Sequence, residues 1–141
     1  MESRKDYLIL TNNPLLASCM EGEFAIAYYK EAGYRDILRM ARDKVYVGHT
    51  LYTHPLAGSV KPNETPYKSI VISALPRGFR AQDAEIISAA IDVCDRFVPG
   101  KRELNEKNLK DFQLIDYSLL ADAIDFNPEA GIYHKKQTKG Q

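Results

Sequence analysis

Residues 6–14 read DYLILTNNP. Tyr7, Leu8, Ile9 and Leu10 run together between polar ends, the pattern of a short strand over residues 6–11. A run that is apolar at every position suits a strand covered on both faces. Asn12, Asn13 and Pro14 break it. Asn13 can cap a helix, and Pro14 fits the first helical position, where its missing N–H would have no partner anyway. A short helix over residues 15–20 follows, stopped near Gly22.

Working outward, residues 24–29 read as a second strand, with Ala25 and Ala27 leaving a helix open. Gly33 marks a turn. Residues 34–47 predict a helix with Ile37, Leu38, Ala41 and Val45 on one face and Arg35, Arg39, Arg42 and Asp43 elsewhere. Gly48 stands where a helix end favours a residue free to take positive φ. Beyond a long loop, residues 69–75 read as a strand with Ile70, Val71 and Ile72 as its buried run. Pro76 and Gly78 then turn the chain. Residues 81–98 predict a helix: Ile87, Ala90, Ile91, Cys94 and Phe97 form its stripe, Asp83 and Glu85 sit in its first turn, and Pro99 and Gly100 end it. Residues 101–108 read as a polar connector. The last helix, 109–126, aligns Phe112, Ile115, Leu119 and Ala123, widened by Leu120 and Ile124, and stops at Asn127 and Pro128.

This order of strands and helices predicts an α/β fold, a small parallel or mixed sheet with helices packed on it. The first crossover is short for a regular βαβ unit, which keeps the mixed sheet open. A single domain is expected over residues 1–126, with 127–141 a loosely ordered C-terminal tail, poor in large apolar residues.

The 141 residues suffice for one full hydrophobic core. Nineteen basic and nineteen acidic side chains cancel, so no global field favours a nucleic acid. Cys19 and Cys94 lie far apart with no CxxC pair, which argues against a disulfide framework or a zinc ribbon. The N-terminal apolar run is too short for a signal-peptide core, and no stretch is long enough to cross a bilayer. A cytoplasmic protein without membrane contact is expected, with no cofactor and no metal.

Residues 49–69, HTLYTHPLAGSVKPNETPYKS, hold the functional candidates. Pro55, Pro62 and Pro66 exclude a continuous helix. Loops this long inside a compact domain tend to be functional or disordered. Leu51, Tyr52, Leu56, Val60 and Tyr67 can anchor this one, unlike a linker. Its polar groups include His49, His54, Ser59, Lys61, Asn63, Glu64, Thr65 and Lys68, which with Tyr67 form a candidate surface for a small polar or anionic metabolite. A packed loop whose polar groups satisfy its own backbone explains the composition equally well. Asn12, directly after the first strand, joins the set because ligands of open α/β sheets bind beyond the carboxyl ends of strands. Arg42 joins it as a cation close to the loop in sequence, though an exposed charged helix face accounts for it as well. His49 and His54 are weak candidates for a general acid or base, since imidazole titrates near neutrality. No third metal ligand accompanies them, and Gly58-Ser59-Val60-Lys61 lacks the spacing of a phosphate loop.

The string RDKVYVGHTLYTHPLAGSVKPNETPYKS, residues 42–69, resembles the GrdX-like family, most specifically over THPLAGSVKPNETPYKSI. DFQLID, residues 111–116, is similar to that family too. The family is encoded beside components of glycine, sarcosine or betaine reductase in anaerobic amino-acid-fermenting bacteria. The resemblance implies a role near that reductase system, with the reductase components as candidate partners; taken with the polar loop, the expectation is an accessory or small-ligand-binding protein of the pathway acting through residues 49–69. The resemblance carries no catalytic residues over to this chain. The alternatives are a small enzyme using His49 or His54 on a carboxylate or phosphate substrate, and a pure assembly partner of the reductase.

Overall fold

The computed structural model describes residues 4–57, 61–62, 64–97 and 104–126. After a 3-10 turn at Arg4–Asp6 come β1 (Tyr7–Thr11), α1 (Pro14–Cys19), β2 (Ala25–Tyr28), α2 (Tyr34–Tyr46), β3 (Ser69–Ser73), α3 (Ala81–Arg96) and α4 (Glu106–Ala123). The sheet is mixed, in the order β2-β1-β3: β1 runs parallel to β2 and antiparallel to β3.

Strand alternation sorts the apolar residues into two cores. Leu10 and its antiparallel partner Ile70 face α2 and α3, packing with Ile37, Leu38, Ala41, Ile87 and Ile91. Ile9 and its partner Val71 face the other way, onto Leu16, Met20, Tyr117 and Leu120. The sheet is thus the middle of three layers, which explains why β1 and β3 are apolar on both faces. Among the described residues no helix is long and apolar enough to cross a membrane.

Local chemistry accounts for the element ends. Asn13 caps α1 by accepting the N–H groups of Leu15 and Leu16, with Pro14 in the first turn. Gly48 follows α2 at φ +110°, and a Cβ there would lie 3.4 Å from Pro76 Cβ and from the Gly78 nitrogen. Two expectations are corrected. The last helix starts earlier than residue 109, because Asn105 caps it through the Asn108 N–H (2.8 Å) and its polar first turn carries no apolar period to read. The stripe of Phe112, Ile115 and Leu119 is not its core face: Tyr117, Leu120 and Ala121 are buried, while Ile115 and Leu119 stay exposed. The expected tail, 127–141, lies outside the described residues.

Candidate functional site

Because β3 runs antiparallel to β1, its first residue lies beside the last residue of β1, Thr11 opposite Ser69. The loop that precedes β3 therefore arrives at the carboxyl end of β1, where Asn12 and Asn13 leave the sheet. Asn12 fastens it there. Its side chain accepts the Lys68 N–H (2.9 Å) and donates to the carbonyls of Pro66 (2.8 Å) and Ala32 (2.9 Å). Both amide hydrogens are thereby committed to backbone.

Between this anchored loop and α4 lies a cleft. Thr53, His54, Thr65, Tyr67, Lys68 and Ser69 line one side, Tyr34 contributes from α2, and Phe112, Ile115, Asp116, Leu119 and Ala123 come from α4. The misassigned apolar stripe is one wall of this cleft. Its interior measures about 30 Å³, room for a water or the narrow head of a small ligand.

A chain of hydrogen bonds forms the floor. The Asn13 N–H donates to Thr11 Oγ1 (2.9 Å), Thr11 and Ser69 hydroxyls meet at 2.6 Å, and Ser69 Oγ donates to Asp116 Oδ2 (2.6 Å). With Asp116 ionised the direction is set: Ser69 gives its hydrogen to the carboxylate, so Thr11 gives its own to Ser69. Asn13 Nδ2 adds a bond to the same Oδ2 (3.0 Å) and another to the Gln113 carbonyl (2.9 Å). One fully buried asparagine thus caps α1, holds α4 and orients the carboxylate. The other carboxylate oxygen, Oδ1, accepts no hydrogen bond from the described residues, and none of their buried polar side-chain atoms lacks a partner. Oδ1 is therefore not sealed from solvent, and Asp116 lines the cleft.

Lys68 is buried, with its ammonium 5.3 Å from the centre of the Tyr34 ring, a cation–π contact. It forms no direct ion pair with Asp116, although each feels the other's charge. Burial pushes the Asp116 carboxyl above its ordinary range, against the lowering pull of Ser69, Asn13 and Lys68. Burial likewise draws the Lys68 amine below its ordinary value, against the raising effect of Asp116. Gln113 Nε2 donates to the Tyr67 hydroxyl (2.8 Å), which leaves the phenol hydrogen free to point elsewhere in the cleft.

The other half of the loop is built differently. Residues 49–53 run along the free edge of β3: Leu51 bridges Ile72, Tyr52 N–H donates to the Val71 carbonyl (2.9 Å), and Ser73 N–H to the Thr50 carbonyl (2.8 Å). Asp83 is buried and accepts the Leu51 N–H (3.0 Å), so it clamps the loop and does not serve as a solvated first-turn charge. Here sits His49, buried, with Nδ1 2.8 Å from the Ser73 carbonyl and therefore donating to it.

The sequence candidates divide accordingly. His54, Thr65, Tyr67 and Lys68 line the cleft. Asn12 holds its backbone frame, and His49 belongs to the opposite end of β3, so the two loop histidines do not converge. His54 accepts the Leu56 N–H at Nδ1 (3.1 Å), which puts the hydrogen of its neutral form on Nε2. Arg42 is on α2, paired with its neighbour Asp43 (3.3 Å), and does not line the cleft. Lys61 and Glu64 are exposed, joined only by a backbone bond (2.9 Å). Ser59 and Asn63 lie outside the described residues. No three His, Cys, Asp or Glu side chains among the described residues converge as metal ligands.

Asp116 and Tyr34 were not among the sequence candidates for the site. One signal for Asp116 was present: a carboxylate flanked by Phe112, Ile115, Leu119 and Leu120 on the apolar side of a helix, at the end of the segment DFQLID. A charge in such a position needs partners from elsewhere in the fold.

The family model for GrdX-like protein matches residues 8–125, from β1 to the residue after α4's C-cap, and the chain belongs to that family. No curated protein and no solved structure matches it.

Proposed function

We propose that this GrdX-like chain is a small-ligand-binding accessory protein of the glycine, sarcosine or betaine reductase pathway, and that the cleft between the 49–69 loop and α4 is its binding site. The pathway link is the one the family name implies. The observation that carries the binding reading is the cleft floor: a buried lysine and a carboxylate held by Ser69 and Asn13 open onto the same space without pairing with each other. Two ions kept apart in a partly desolvated cleft cost stability, and a complementary ligand repays that cost. A structural loop has no need of them.

Histidine catalysis has weaker support. His49 is buried against the Ser73 carbonyl, and His54 offers an N–H from Nε2. An assembly role is favoured by one feature, the exposed apolar group of Tyr46, Val47, Leu75 and Phe79 at the other end of the molecule.

The binding reading is tested by a thermal-shift screen against an unbiased set of metabolites, repeated with Ala123→Trp to fill the cleft. A ligand at a hundred times its Kd stabilises the fold by about 2.7 kcal/mol. The expected result is a hit that Ala123→Trp abolishes. A hit unaffected by the tryptophan places the ligand elsewhere, and native co-purification with a reductase component in the absence of any hit favours the assembly role.

A further inference from the structure

Resting on the reading that the cleft binds a small ligand, we infer that the ligand is a short zwitterion, an amino-acid-like molecule whose carboxylate meets Lys68 and whose ammonium meets Asp116. Three features of the cleft converge on this class.

The first is charge. Lys68 and Asp116 are of opposite sign, line one narrow cleft and form no direct pair. A ligand with a single charge would neutralise one of them and leave the other buried without its complement, a costly state in a medium of low polarity. A neutral ligand with separated charges satisfies both.

The second is orientation. Asp116 is held by two bonds on Oδ2, so its free oxygen Oδ1 has a defined direction and accepts the N–H groups of an ammonium. The Lys68 ammonium, lying on the Tyr34 ring with three hydrogens to donate, offers a counter-charge to a carboxylate. Tyr67 accepts from Gln113 and so keeps its own hydrogen to give a second bond to that carboxylate.

The third is size and wall chemistry. The cleft is narrow, with an interior of about 30 Å³. Phe112, Ile115, Leu119 and Ala123 present carbon to it. Such a wall accommodates methylene or methyl groups on carbon and makes no further hydrogen bonds. Anionic phosphates, which need several donors, are poorly served by one lysine and one phenol beside a carboxylate.

The test uses the full chain and calorimetric titration with glycine, β-alanine and alanine. Acetate and methylammonium serve as the two isolated halves. At least one zwitterion is expected to bind about tenfold or more tightly than either half, a difference of about 1.4 kcal/mol. Lys68→Met and Asp116→Asn are each expected to reduce that affinity by a similar factor. The comparison of whole and halves needs only the unaltered chain, so it stands even where a variant folds poorly. Acetate or methylammonium binding as tightly as every zwitterion overturns the inference while leaving the cleft a binding site. A metabolite hit in the cleft that carries a single charge does the same. Silence from all five probes and from the metabolite screen overturns both readings.

Discussion

β3 begins at Ser69 and ends at Ser73, and the fold uses these two buried serines in different ways. Ser73 Oγ accepts the Thr50 N–H (2.8 Å) and donates to the Leu75 carbonyl (2.8 Å), so both bonds go to backbone. Ser69 Oγ meets the side chains of Thr11 and Asp116. Backbone partners close a structure: at the Ser73 end the loop edge, His49 and the turn after β3 are fastened together. Side-chain partners hold a reactive group in place: at the Ser69 end they orient a carboxylate toward an open cleft. Two carboxyls mark the contrast. Asp6, just before β1, is held below its ordinary range by the Tyr52 hydroxyl and then by Arg77. Asp116, at the other end of β1, is pushed up by burial.

The largest expected effect is at the cleft end. Asn13→Ala removes a helix cap and leaves the Gln113 carbonyl and Asp116 short of a donor, which should cost about 3 kcal/mol in urea unfolding. A loss below about 1 kcal/mol would mean the cap alone matters and that α4 is held by its apolar contacts.

Next come the serines themselves. Ser73→Ala strands a backbone N–H and should cost about 2 kcal/mol, with ligand affinity in the cleft unchanged. Ser69→Ala should reduce affinity, because Asp116 loses the bond that orients it. Equal affinity losses in the two variants, measured by titration, would erase the distinction between the ends.

The pH dependence of stability should have opposite signs at the two carboxyls. Asp6 binds its proton less readily in the folded state. Its contribution is complete above the ordinary value of 3.8 and is lost as pH falls through the lowered pKa. Asp116 binds its proton more readily when folded, so stability is greatest below 3.8 and declines as pH rises through the raised pKa. Unfolding curves across pH should therefore show a smaller decline above pH 3.8 in Asp116→Asn and a smaller acid loss in Tyr52→Phe. The smallest effect is expected at Lys61, exposed and not lining the cleft: Lys61→Ala should change stability by less than about 0.5 kcal/mol and leave affinity intact.

Much of this architecture was legible in the chain. Four consecutive apolar residues and an Asn-Pro step announced β1 and the cap of α1, and the apolar period of residues 37–45 announced α2. The loop stands out by its prolines and polar density, and four of its candidate residues line the cleft. α4 is less legible in the chain. Its polar first turn is set by Asn105, and its most regular apolar stripe faces the cleft and not the core, because periodicity reports that a face is covered or apolar without saying by what.

By itself, then, the sequence determined the elements, their α/β layering and the family, since these rest on local spacing and on a specific string of residues. Only the tertiary structure decided that β3 runs antiparallel to β1. That single choice of direction brings a loop from residues 49–69 to the carboxyl end of β1 and sets Lys68 and Asp116 on one cleft, 48 positions apart in the chain. Strand direction depends on which edges and faces pair in three dimensions, and no residue type along the chain encodes it.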